Sequence, residues 1–286
     1  MYKNKNLNTP ITIECKSKLL DLSTPRIMGI LNLTNDSFYD GGKYNSINKA
    51  LLKTEKMLDD GAEIIDIGAY SSRPNAKHVS LEEEWQRMEK TLQIINKNFP
   101  NILISVDTFR SEIARRCIDN GADIINDISA GNLDNKMFDV VSELNVPYIM
   151  MHMKGTPQNM QKNPNYECIE KEVSEYFFSK IKYLKNKGFN KIIIDPGFGF
   201  GKTIEHNYKL LNNIEKLHFL KLPIMIGLSR KSMVYKVLET DQKNALNGTT
   251  VLHALCLSKG VSILRVHDVK EAVECIKLIN FAKNHL

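Results

Sequence analysis

The residues best suited to chemistry stand where short apolar runs end. Asp107 follows Leu103-Ile104-Ser105-Val106, Asn126 follows Ile124-Ile125, and Asp195 follows Ile192-Ile193-Ile194. A carboxylate at the end of a buried strand can accept two hydrogen bonds from an amidine-like edge, such as that of a 2-aminopyrimidinone ring. In a dry site such a charge-assisted pair is strong and directional. Asn126 adds a donor and an acceptor, and strand alternation turns one of Asn126 and Asp127 inward and the other outward. Asp195 leads into Pro196 and a glycine-rich turn, Gly197-Phe198-Gly199-Phe200-Gly201-Lys202, so helix capping explains it poorly. Asp107 precedes a helical stretch and also reads as a simple cap.

Cationic groups end two other runs. In Ile263-Leu264-Arg265-Val266-His267-Asp268 the period of two puts Arg265 and His267 on one face. Two such groups at a strand mouth suit a phosphate or diphosphate; the plainer alternative is a surface salt bridge to Asp268 or Glu271. Ser229-Arg230-Lys231-Ser232 is a second basic end, where a capping Ser232 beside a solvated Lys231 is the plain reading. Asn32 ends Gly29-Ile30-Leu31 and, next to a diphosphate, could help hold Mg²⁺, which takes few protein ligands. Polar loops follow at 34–42 and 71–76, as ordinary solvent loops or as mobile lids.

The elements that position these groups repeat one unit. Apolar runs end at Asn32, Asp66, Asp107, Asn126, His152, Asp195, Lys231 and His267. Gly61, Gly121, Gly188 and Gly260 each close a helical stretch shortly before a new apolar run, the mark of serial β-α-β crossovers and a parallel sheet. Helices are expected around 48–60, 81–98, 109–120, 168–187 and 270–284. Eight strands handing polar groups to one end predict an α/β fold, a single (β/α)8 TIM barrel over 25–286 with its chemistry on one rim. Residues 1–24 precede it, with 11–15 and 19–22 suggesting a hairpin that plugs the barrel's bottom. A doubly wound open sheet is the structural alternative. The turn at 197–202 misses both the dinucleotide and the Walker A spacing, and its glycines read as room for backbone to approach a ligand.

Composition narrows the class. The 286 residues are 42% hydrophobic with net charge +6, and no run approaches a membrane span. The polar start lacks a signal peptide's apolar stretch, so a cytoplasmic protein is expected. The five cysteines are scattered without a C-x-x-C pair, which argues against disulfides and zinc. No aromatic-basic platform suggests nucleic acid.

Taken together, these segments resemble the dihydropteroate synthase family. The similarity runs from about residue 27 to 274 through Met28-Gly29-Ile30-Leu31-Asn32-Leu33-Thr34, Asp36-Ser37-Phe38, Ser72-Arg73-Pro74, Ser105-Val106-Asp107-Thr108, 124–128, Met151-His152-Met153-Lys154-Gly155-Thr156-Pro157, 195–202, 229–232 and 264–269. The resemblance implies condensation of 6-hydroxymethyl-7,8-dihydropterin diphosphate with 4-aminobenzoate. It places Asp107, Asn126, Met151, Asp195 and Lys231 on the pterin, and Arg73, Arg265, His267 and Asn32 with Mg²⁺ on the diphosphate. Ser72, Pro74, Phe200, Lys231 and Ser232 would border the aminobenzoate. Asp107, Lys231, Arg265 and His267 would serve catalysis, in a homodimer sensitive to sulfonamides.

The loops depart from the family pattern: Asn35 stands where proline is common, Ala69-Tyr70-Ser71-Ser72 replaces Gly-Glu-Ser-Thr, and Asn75 replaces glycine. Two rivals share parts of the pattern. A barrel moving methyl from a folate to a corrinoid has no need of a diphosphate site, and a barrel that only binds pterin has no need of the full charged set.

Overall fold

The computed structural model describes residues 12–33, 43–70 and 79–285, with side chains from 47 onward in the second span. Near-continuous isoleucine, valine and methionine runs bury both faces of the strands, which suits a parallel sheet covered by helices. The barrel strands are β3 (Arg26–Asn32), β4 (Ile64–Gly68), β5 (Leu103–Asp107), β6 (Ile124–Asp127), β7 (Tyr148–Met151), β8 (Ile192–Asp195), β9 (Met225–Ile226) and β10 (Ile263–Val266). Between and after them run α1 (Lys43–Asp59), α2 (Leu81–Asn98), α3 (Ser111–Asp119), α4 (Met137–Leu144), α5 (Ile169–Asn186), α6 (Ile204–Asn212), α7 (Ser232–Tyr235), α8 (Leu246–Ser258) and α9 (Val269–Asn284). A 3₁₀ segment, Ile214–Leu220, precedes β9.

The strands lie in the order β8-β7-β6-β5-β4-β3-β10-β9, and every pairing in this sheet is parallel. A parallel bridge between Ile194 and Ile224 joins the two ends, closing the barrel and excluding the open sheet. The four expected helix-ending glycines all take positive φ. Helix α1 begins five residues before its expected start: the polar stretch from Lys43 carries no apolar periodicity to mark it.

The hairpin forms from β1 (Thr12–Cys15) and β2 (Lys18–Asp21) in antiparallel register. Ile13, Cys15 and Leu20 pack against Met28, Ile64, Leu103, Ile124, Ile149, Ile193, Met225 and Ile263, near the amino end of each barrel strand. These side chains fill the bottom of the barrel with apolar volume and exclude water from that end. Lys18 reinforces the plug by donating to Asp123 at 3.0 Å and to the Ile102 carbonyl at 2.6 Å.

Alternation along the strands then positions the site. Two residues beyond each of those plug contacts, facing the same interior, come Ile30, Asp66, Ser105, Asn126, Met151, Asp195, Gly227 and Arg265. The interior therefore changes from wholly apolar at the bottom to largely polar one step up. A further step reaches Asn32, Gly68, Asp107, Ile128, Met153, Gly197, Ser229 and His267 at the carboxyl rim. Residues of opposite parity, such as Ile65, Ile104, Ile125, Ile194 and Val266, pack outward against the helices.

Candidate active site

Arg265 is the hub of the barrel mouth. Its Nε donates to Asp66 Oδ2 at 2.6 Å and its Nη2 to Asp107 Oδ2 at 2.7 Å. Asn126 Nδ2 donates to the same Asp66 oxygen at 3.1 Å, so β4, β5, β6 and β10 converge on one network. Asp66 is buried, and among the described residues its Oδ1 has no hydrogen-bond partner. Gly68 helps admit the network: a Cβ there would lie 3.2 Å from that of Asp107.

The second half of the mouth is built by β8, its turn and α7. Asp195 is buried and its Oδ1 accepts from the Gly197 N–H at 2.8 Å. Lys231 Nζ donates to the Phe198 carbonyl at 2.6 Å and lies 4.6 Å from the Phe200 ring centroid, a cation over an aromatic face. Phe200 packs against an apolar wall of Ile128, Met151, Met153 and Met160. Ser232, half-buried, is the first residue of α7 and caps nothing; Lys231 holds the N-cap position without a side-chain bond.

Burial sets the electrostatics. It raises the carboxyl pKa values of Asp107 and Asp195 above the usual range, although Arg265 pulls the first down and Lys231 the second. Burial lowers Lys231 to about 8 despite Asp195. On Arg265 burial opposes the charge, but Asp66 and Asp107 outweigh it and the guanidinium stays protonated. Burial, with Arg265 adding, lowers His267 to about 4, so this imidazole is neutral at pH 7.

Several sequence expectations are sharpened or corrected. Asp107 does not cap α3, whose N-cap is Arg110. Asn126 faces the interior, while Asp127 faces outward to Ser129, Gly131 and Tyr148. Neither Arg265 nor His267 pairs with Asp268, because Arg230 occupies that carboxylate through two bonds of 2.7 and 2.9 Å. Lys231 is not a solvated lysine. Two glycines of the turn have a structural task as well: a Cβ at Gly197 (φ 69°) would sit 2.0 Å from the His152 carbonyl oxygen, and one at Gly201 (φ 61°) would meet the Lys154 backbone. They let this turn lie against the backbone that follows β7. Asn32, at the end of β3, is half-buried. Ser72, Arg73, Pro74, Asn35 and Asn75 lie outside the described residues.

Two departures fall within them: Ala69 is buried, and Tyr70 stacks edge-on to Phe109 at 5.0 Å beneath Arg110, with its hydroxyl accepting from Gln158 at 3.4 Å. Sequence reasoning gave no role to two groups the structure puts in the site. Asp66, expected at the end of its apolar run, sits instead in the middle of β4, one alternation step below the rim. Lys202, read as part of a failed phosphate motif, is buried beside the turn.

Comparison with known proteins agrees with this geometry. The family model described as pterin binding enzyme matches residues 28–267. A dihydropteroate synthase of Escherichia coli K12 is 41% identical over 262 residues, 91% of this chain and 92% of its own length. The structure of Yersinia pestis dihydropteroate synthase with a sulfonamide drug complex superposes with a TM-score of 0.90 at 37% identity, over 96% of this chain and 99% of that one. Xanthomonas albilineans dihydropteroate synthase in complex with 7,8-dihydropteroate gives 0.85 at 31% identity, over 95% and 98% of the two chains.

Proposed function

The chain belongs to the pterin-binding enzyme family and is a transferase with dihydropteroate synthase activity, and from that premise we propose how its own residues divide the work. The reaction joins 6-hydroxymethyl-7,8-dihydropterin diphosphate to 4-aminobenzoate, giving 7,8-dihydropteroate and diphosphate in folate biosynthesis. The observation that carries our reading is the meeting, in one barrel mouth, of buried acceptors suited to a pterin edge with Arg265 and Lys231.

In this reading Asp195 accepts two hydrogen bonds from the amidine edge of the pterin, and Asn126 and Asp107 complete its polar rim. Met151 packs against the ring. Arg265 supplies positive charge, while His267 and Arg73 donate to the diphosphate as the methylene C–O bond breaks and its electron pair leaves with the diphosphate oxygen. The electron-rich dihydropterin delocalises the resulting cation. Phe200, Ser72, Pro74 and Ser232 hold 4-aminobenzoate so that its nitrogen lone pair forms the new C–N bond, after which the nitrogen loses a proton. Lys231 borders both substrates. Catalysis is then orientation plus stabilisation of departing charge, with no covalent enzyme intermediate.

The donor set fits Mg²⁺ only in a particular way. Among the described residues no three His, Cys, Asp or Glu side chains form a metal cluster, and Asp66 and Asp107 are engaged by Arg265. Asn32 offers one amide oxygen, which suits an ion that retains waters and arrives on the substrate's diphosphate. When bound, Mg²⁺ would neutralise part of the departing charge.

We also infer a homodimer. Val251 and Leu255 on α8 and Leu278 and Phe281 on α9 expose 45–72% of their surface on two packed helices, an apolar face suited to a second copy. Among the described residues no helix is long and apolar enough to cross a membrane, and we place the enzyme in the cytoplasm.

The test is a coupled diphosphate assay with Mg²⁺ present. Release should require both substrates at once, and 7,8-dihydropteroate should accumulate in equal amount. Diphosphate release independent of 4-aminobenzoate would overturn the reading. Chelation of the metal should raise KM for the pterin diphosphate while leaving binding of a diphosphate-free pterin intact.

A further inference from the structure

Behind the pterin floor lies a cation that the proposed reaction does not touch. Lys202 Nζ is buried and donates to the carbonyls of Gly197 at 2.9 Å, Phe200 at 3.1 Å and His152 at 3.3 Å. His152 Nδ1 also lies 2.9 Å away, so four acceptors share the three ammonium protons. One ammonium thus ties the backbone after β7 to both limbs of the turn at 197–201. The turn has further anchors: Tyr166 donates to the Gly201 carbonyl at 2.8 Å, and Gly199 N–H donates to Asn207 at 2.7 Å.

The peptide groups of this turn relay Lys202 to the site. Gly197 gives its carbonyl to Lys202, and its own N–H goes to Asp195 Oδ1. Phe200 gives its carbonyl to Lys202 and its ring to the Lys231 ammonium. We propose that Lys202 is a positioning residue for the pterin site, whose buried ammonium fixes the glycine turn that carries the Gly197 N–H to Asp195 and adds to the positive charge that Lys231 and Arg265 place around that carboxylate. This rests on the reading of Asp195 as the carboxylate that holds the pterin.

Its electrostatic surroundings fit that role. The charged and titratable groups around it are His152 after β7, Asp195 on β8, His206 on α6 and Lys231 at the start of α7, with Lys154 acting on His152 and Arg265 on Asp195. His152 is held neutral by burial and by Lys202 itself, so it adds no competing charge. Burial lowers Lys202 to about 7, so its charge is present over the acidic range in which Asp195 takes up a proton. A lysine that only braced the turn could be replaced by any side chain offering donors to the same carbonyls.

That difference supplies the experiment: calorimetric binding of a diphosphate-free pterin across pH. The proteins are wild type, Lys202→Gln (two donors kept, charge removed), Lys202→Arg (charge kept) and Asp195→Asn. Wild-type affinity should fall on the acid side, and Asp195→Asn should lose that limb. Lys202→Gln should move the limb upward and weaken binding below it, whereas Lys202→Arg should leave it in place. A folded Lys202→Gln protein whose limb coincides with that of wild type would overturn the proposal. A limb that persists in Asp195→Asn would overturn the reading of Asp195 itself, and the proposal with it. Should Lys202→Gln fail to fold, ¹³C-aspartate NMR of the wild type decides. The Asp195 signal must carry a second inflection where Lys202 loses its proton, and a single inflection refutes the coupling.

Discussion

Lys231 holds its proton less tightly than an exposed lysine, because burial costs the charged form more than Asp195 returns. The charged form exists below about pH 8. If that charge serves both substrates, kcat/KM must fall as pH rises through about 8. Lys231→Arg should move this basic limb to higher pH, and a limb unchanged by the substitution would remove Lys231 from the assignment. Asp195 acts with opposite sign, since its raised pKa makes the ionised acceptor disappear as pH falls. Asp195→Ala should cost about 2–5 kcal/mol of pterin affinity by calorimetry, the scale of leaving buried partner groups unpaired. Arg265 has two functions. Its removal strands the fully buried Asp66 carboxylate, so Arg265→Ala should lower folding stability by about 3–5 kcal/mol as well as diphosphate affinity. Denaturant melts that match wild type would show that the pair carries no structural weight.

At the scale of elements, the barrel separates stability from chemistry along its own axis. The hairpin of β1 and β2 seals the amino end with Ile13, Cys15 and Leu20, while the polar groups lie one or two alternation steps above. Leu20→Ala should therefore destabilise by about 2–5 kcal/mol, the cost of a cavity in an apolar plug, with little change in KM for either substrate. A KM shift without loss of stability would show that the plug reaches the site. The glycine turn shows the opposite coupling. Gly197 and Gly201 allow it to lie on the chain after β7, and that same contact brings Lys202, Asp195 and Phe200 into fixed relation.

For the whole molecule, the proposed dimer rests on the exposed apolar side chains of α8 and α9. Val251, Leu255, Leu278 and Phe281 are exposed on two helices packed against each other. Substituting Leu278→Asp with Phe281→Asp should convert a dimer to a monomer by light scattering, with the helical signal retained. A dimer that survives both charges must use another face.

The sequence alone carried the architecture and much of the site. Isoleucine-rich runs ending in Asp107, Asn126 and Asp195 announced buried parallel strands with polar carboxyl ends. The spacing of Arg265 and His267 put both on one face, because a strand's period is local and survives in one dimension. What a run of residues cannot express is who meets whom across the barrel. Arg265 and Asp66 are 199 positions apart, and closure alone makes them partners. For the same reason a salt bridge from Arg265 or His267 to Asp268 stands as an alternative in the sequence, and only the fold removes it, because Arg230 reaches Asp268 from the loop after β9. Lys202 follows a turn whose spacing fits no nucleotide motif, and only the fold gives it partners, by enclosing it among carbonyls. Local alternation decided which side chains face inward; the closed sheet, by setting distances among them, decided their charges and their roles.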